Sequence, residues 1–211
     1  MKVAKIMKMN TKKYFITFLL IGIVASYTSA EDSMDSVAGE MRYTKLPEIP
    51  GMIIAYPDFF KVYDVDFSRS VLQSLRPEES AKVSEAKIIF VAVNKLEQRM
   101  QLTVTSREYR KDKNLKQIIG EIDADIAKRG VVAEITIDNI EKNCAVMEIT
   151  SIPGQSEVVK TKCKLFLTAH RGNKSAVLYV ISMASLFNDY YKYLPVIDAV
   201  IENSTFDHGG K

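Results

Sequence analysis

Cys144 and Cys163 are the only cysteines in the chain, and they flank Pro153-Gly154. A two-residue turn at that dipeptide sets Ile152 opposite Gln155 and, further along the hairpin, Cys144 opposite Cys163. Cα atoms directly opposite lie about 4.5–5.5 Å apart, within disulfide reach. Pro-Gly prefers a type II turn, however, which twists the wrong way for a two-residue hairpin. A longer loop changes the register, and a one-residue slip puts the thiols on opposite faces. A disulfide and two buried thiols therefore both stand open. A redox pair wants Cys-x-x-Cys, which is absent, and a zinc site wants more ligands than His170 can add nearby.

Lys160, Lys162 and Lys164 alternate along the next segment. On a strand they line one face, as a stripe for anions or acidic partners, as a solvated face, or as protection of a sheet edge. "NDYYKYL" places Tyr190, Tyr191 and Tyr193 on a helix, where they cannot all face one way. At least one is expected at the surface, and an exposed tyrosine makes a good partner contact. Asp64 and Asp66 are expected on one side of a strand, as paired carboxylates for acid–base work, with no third group beside them. Asp123 and Asp125 fall on the polar side of a helix. "REYRKDK", Arg107 to Lys113, reads as a basic loop that fits phospholipid headgroups or plain surface. No Gly-rich phosphate loop, serine elbow or His-Glu metal helix occurs, and neither a metal nor another cofactor is implied.

Short strands and two helices must position these residues. "MIIAY", "FFKVYDVDF", "KIIFVAV" and "RMQLTVTS" read as strands, the last with one face buried and one wet. Leu115, Ile118, Ile119, Ile122 and Ile126 form the apolar stripe of a helix over 114–130, with Asn114 and Gln117 as a capping pair and Gly130 as its stop. Strands follow at 131–138, 144–152, 157–170 and 175–183. The last is almost continuously apolar and is expected at the centre of the sheet, covered on both faces. Phe187, Tyr190, Tyr191, Leu194, Ile197 and Ile201 mark the inner side of a final helix, in which Pro195 must kink the chain or open a second segment. Hairpin-linked strands make the class α+β, an antiparallel sheet flanked by helices on both faces.

The ends bound the compartment. Residues 1–30 run from a lysine-rich stretch through "YFITFLLIGIVA" to small residues before Glu31, the pattern of a secretory signal peptide. Residues 31–46 read as a flexible lead-in, 47–206 as a single domain and 207–211 as a mobile tail. The full chain carries 29 basic and 26 acidic residues. Removing the five lysines of the leader leaves 24 against 26, a net −2, so charge gives no argument for nucleic acid.

"AVLYVISMAS" followed by Phe187, Tyr190, Pro195, Ile201, Ser204 and Phe206 resembles the end of the Mog1/PsbP/DcrB-like group: a late apolar strand running into a helix with an aromatic, a proline and a terminal Ser/Thr-Phe. The likeness spans about Leu115 to Phe206, and "MIIAYPDFF" departs from the group's aromatic-rich opening. It implies an α/β/α sandwich around an antiparallel sheet and a mostly non-enzymatic accessory or binding role in envelope or membrane complexes. The sequence thus leads to an exported, periplasmic or secreted module that binds envelope proteins through the C-terminal helix and the lysine strand. Its rivals are a small extracytoplasmic hydrolase using Asp64 and Asp66, and a carrier of a small apolar ligand.

Overall fold

The computed structural model describes residues 39–66, 86–95, 100–128, 132–141, 143–152, 158–169 and 175–207. Residues 1–30, read above as a signal peptide, residues 67–85, His170 and His208 lie outside them. In chain order the elements are β1 (Met41–Lys45), β2 (Met52–Pro57), β3 (Phe60–Tyr63), β4 (Ala86–Asn94), β5 (Met100–Arg110), α1 (Leu115–Lys128), β6 (Val132–Ile140), β7 (Cys144–Ile152), β8 (Val159–Ala169), β9 (Ser175–Leu186), α2 (Phe187–Asn203) and β10 (Thr205–Phe206).

These strands form two sheets. The larger has the order β3-β4-β5-β9-β8-β7-β6 and the smaller β1-β2-β10, with antiparallel pairing throughout. Mostly antiparallel sheets with two helices make the class α+β. β9 is the fourth of the seven strands, and Ile181 to Ser185 are buried without a break, as its apolar run requires. β5 pairs with β9 along its whole length, from Met100↔Ser185 to Arg110↔Ser175. Its expected wet face is buried too: Gln101, Thr103 and Thr105 are at most 9% exposed. Period two marks an alternation, but whether the polar face meets water depends on what packs over it. β5 also continues through Arg110, so half of the expected basic loop is strand.

α1 starts where its sequence says it should. Asn114 N–H donates to Gln117 Oε1 and Gln117 N–H to Asn114 Oδ1, both at 2.9 Å, a reciprocal capping box. Leu115, Ile118, Ile119 and Ile126 pack with Met147, Ile149, Cys163, Leu165, Leu167 and Leu178. α2 turns Tyr190, Tyr193, Val196, Ile197, Val200 and Ile201 inward, onto Met100, Leu102, Val104, Phe166, Ile181 and Met183.

The expected lead-in is corrected. β1 occupies Met41–Lys45 and pairs with β2 from Met41↔Pro57 to Lys45↔Ile53, so "PEIPG" is a hairpin turn inside the fold. Gly51 closes that turn at φ +89°, and a Cβ there would collide with the Asp207 carbonyl oxygen. Asp207 N–H donates to the Gly51 carbonyl at 2.9 Å, which ties down the start of the expected tail.

Candidate functional site

β8 lies between β7 and β9, so its lysines protect no edge. Alternation sends Lys160, Lys162 and Lys164 toward α2, while Cys163, Leu165 and Leu167 pack with α1. Each ammonium meets a different part of α2 or its strand neighbour. Lys160 Nζ is 2.8 Å from Glu148 Oε2, with the two side chains only 13% and 19% exposed. It also lies 4.8 Å and 5.0 Å from the ring centres of Tyr190 and Tyr191, within cation–π range. Lys162 Nζ is 2.9 Å from Asp198 Oδ1 and 3.7 Å from Glu148 Oε1. Lys164 Nζ donates to the carbonyls of Ile201 at 2.9 Å and Ser204 at 2.8 Å, where α2 runs out of backbone donors. The three lysines therefore clamp α2 to the sheet, in place of the solvated or edge-protecting face their spacing admitted.

Glu148 joins the two sides. The β7–β8 register sets it directly opposite Lys162, and Tyr190 OH donates to Glu148 Oε1 at 2.9 Å. Burial alone would raise this carboxyl. Hydrogen bonds from Lys160 and Tyr190, with the charges of Lys160 and Lys162, outweigh it and hold Glu148 below the usual carboxylate range. Burial likewise opposes the charge on Lys160, yet its bonds to Glu148 and Tyr191 raise its pKa. Half-burial dominates at Lys164 and lowers its pKa, against the pull of Cys144 and Glu202. Glu148 and Asp198 carried no local motif; their roles depend on strand register and on where α2 lands.

The tyrosines divide. Tyr190 and Tyr193 are fully buried and offer no surface to a partner, whereas Tyr191 is 57% exposed. Phe187, one turn earlier, is 37% exposed and meets Tyr191 edge to face, with ring centres 5.8 Å apart at 90°. The inner face of α2 is thus rotated from the expected one, with Tyr193 inside and Phe187 and Tyr191 outside.

Of the two arrangements left open for Cys144 and Cys163, the facing pair does not occur. β7 and β8 pair as Cys144↔Phe166 and Met147↔Cys163, three residues away from the tight-turn register, and both thiols are free. An odd displacement sends them to opposite faces. Burial pushes the Cys163 thiol up to about 11, with Ser182 Oγ 3.5 Å away as its polar neighbour. Burial also raises Cys144, against the charge of Lys164.

β3 ends at Tyr63, so Asp64 and Asp66 share no strand face, and both are exposed. The basic segment satisfies itself: Arg110 donates twice to Asp112, at 2.8 and 3.1 Å, and Lys113 pairs with Glu121 at 2.6 Å. A cavity of about 50 Å³ lies between α1 and the sheet, lined by Ile122, Ile126, Met147, Leu178, Thr161 and Cys163 among others. Among the described residues no cluster of His, Cys, Asp or Glu could hold a metal ion, and no helix is long and apolar enough to cross a membrane.

No protein-family model matches the chain, and comparison with curated protein sequences finds no match. Solved structures do. The cyanobacterial PsbP (CyanoP) of Synechocystis sp. PCC 6803 superposes with a TM-score of 0.52 at 14% identity, covering 84% of this chain and 98% of that one. LpqN, described as involved in cell envelope biogenesis of Mycobacterium tuberculosis, gives 0.48 at 9% identity, with 79% and 91% covered. The Saccharomyces cerevisiae Ran-binding protein Mog1p gives 0.44 at 12%, with 78% and 90% covered. The two lower scores carry no argument, and at such identities the likeness is one of fold alone. On that footing the chain has a PsbP-like fold, in line with the resemblance stated on Phe187, Tyr190, Pro195, Ile201, Ser204 and Phe206.

Proposed function

We propose that the chain is an exported, non-enzymatic binding or assembly module of the cell envelope, working through protein–protein contacts at the first turns of α2. The exposed Phe187–Tyr191 pair carries this reading. Aromatic side chains supply large contact area at little entropic cost, and least when they are already held in place. Tyr191 is held from below by Lys160, whose ammonium lies 3.3 Å from its hydroxyl and is itself tied to Glu148. Lys162 and Lys164 fix the rest of the helix, so they serve the surface without touching the partner. The leader pattern of residues 1–30 supports export, and the fold is compatible with an envelope role.

We also infer that α1 and α2 cover opposite faces of the large sheet, as an α/β/α sandwich; the alternation of β8 residues between the two helices supports it. The hydrolase reading has no support at Asp64 and Asp66. The carrier reading needs more room than the cavity beneath α1 offers among the described residues, since a cavity of about 150 Å³ is what holds a benzene.

The test is retention of envelope proteins on the immobilised mature chain, against a Phe187→Ser/Tyr191→Ser double variant. A partner should be held by the first and weakened about tenfold or more by the second, with thermal midpoint and circular dichroism unchanged. Equal retention by both proteins sinks the assignment of this surface.

A further inference from the structure

A sheet edge is a row of unpaired main-chain donors and acceptors, and folds ordinarily blunt it. Among the described residues four strands are outermost, and three of them are blunted. β10 has two residues; β3 has four, with Lys61 exposed; β1 has five, with Arg42 and Lys45 exposed. β6 is different. It is nine residues long, and among the described residues only β7 pairs with it. It contains no lysine, arginine or proline, and Ile137 and Ile140 are 44% and 43% exposed. The register with β7 is regular from Val132↔Ile152 to Ile137↔Met147 and shifts only after Ile137. That leaves a straight run of six residues, about 20 Å long.

We propose that the outer edge of β6 takes up an extended segment of a partner protein that alternates apolar and basic residues, as an added strand. The chemistry of the occupant follows from the two faces of β6. Ile135 packs against the core beneath α1, and Ile137 shares its side of the strand, so an apolar residue of the incoming strand continues that face. Glu134 and Thr136 point the other way and are exposed. From Val132 to Glu141 the charges are Glu134, Asp138 and Glu141, all acidic. A lysine or arginine opposite Glu134 is favoured, whereas a second copy of β6 would bring acid to acid. The bulge after Ile137 ends the added strand, which makes the site short and finite. This surface is separate from the aromatic pair on α2 and reads main chain where that one reads side chains.

The probe is an acetylated Lys-Val-Lys-Val-Lys-Val peptide added to the mature chain, followed by amide hydrogen exchange. Binding should slow exchange within residues 132–137, weaken as salt is raised, and vanish when alternate peptide residues are N-methylated on the face that pairs. The Glu-Val counterpart should not bind, and Glu134→Lys should invert the preference between the two peptides. Unchanged exchange in β6 at millimolar peptide overturns the proposal. So does binding indifferent to N-methylation on either face, which would be capture by acidic surface alone. Concentration-dependent dimers in sedimentation, with β6 protected in the absence of peptide, would give the edge to a second copy of the chain instead. If Glu134→Lys fails to fold, the N-methylated peptides decide the matter on the unaltered protein.

Discussion

Glu148 accepts a hydrogen bond from Tyr190 and pairs with Lys160 and Lys162, so one carboxylate links β7, β8 and α2. Its folded pKa lies below the unfolded one. The stability it contributes is therefore complete above the ordinary glutamate range and is lost as pH falls through the lower folded value. Lys160 runs the other way. Its folded pKa is raised, so its contribution is complete below the ordinary lysine range and is lost as pH rises through the folded value. The pair thus stabilises the whole neutral window. Glu148→Gln should cost about 1–3 kcal/mol at neutral pH, because it takes from the largely buried Lys160 its carboxylate and leaves Lys162 with Asp198. Urea unfolding of both proteins at neutral pH and near pH 3 checks this. The deficit should shrink in acid, and an equal deficit at both pH values would show that the charge is not what matters.

At the scale of elements, α2 carries a local conflict. Pro195 lies inside the helix, exposed, where its ring removes the hydrogen bond to the Tyr191 carbonyl. Pro195→Ala should raise stability by about 1–3 kcal/mol, read as a higher urea midpoint at unchanged slope. A loss of stability would mean that the proline itself is needed to seat Tyr190 and Val196. The two helices also differ in how legible they were. α1 declares its start through Asn114 and Gln117 and its inner face through isoleucines, all within one helix length. In α2, aromatics at 187, 190, 191 and 193 are compatible with two rotations of the helix. The structure has the one that buries Tyr193 and leaves Tyr191 outside, with Tyr190 inward in both and seated on Lys160 and Glu148.

At the scale of the whole molecule, the last described residues close the structure. Ala55 N–H donates to the fully buried Ser204 Oγ at 3.0 Å, β10 pairs with β2, and Phe206 packs on Phe166 and Tyr179 at 5.8 and 5.6 Å. Phe206 therefore joins the small sheet to the large one. Phe206→Ala should cost about 2–4 kcal/mol, at the lower end of full phenylalanine truncations because the ring is half-buried. A thermal scan should show a lower midpoint for the entire domain in one transition; early melting of the small sheet alone would mean that the two sheets are not coupled through this ring.

By itself the sequence determined what local periodicity can encode: most of the strands and both helices in chain order, the capped α1, and β9 at the centre. These rest on spacings of two and of three to four residues, which backbone geometry translates directly. Only the tertiary structure decided which residues meet. A register three residues from the tight-turn one parted Cys144 from Cys163 and put Glu148 opposite Lys162. The placement of α2 turned three lysines from surface charge into a clamp. Register and helix docking are settled by the summed packing of a whole sheet, and no short window of residues contains that sum.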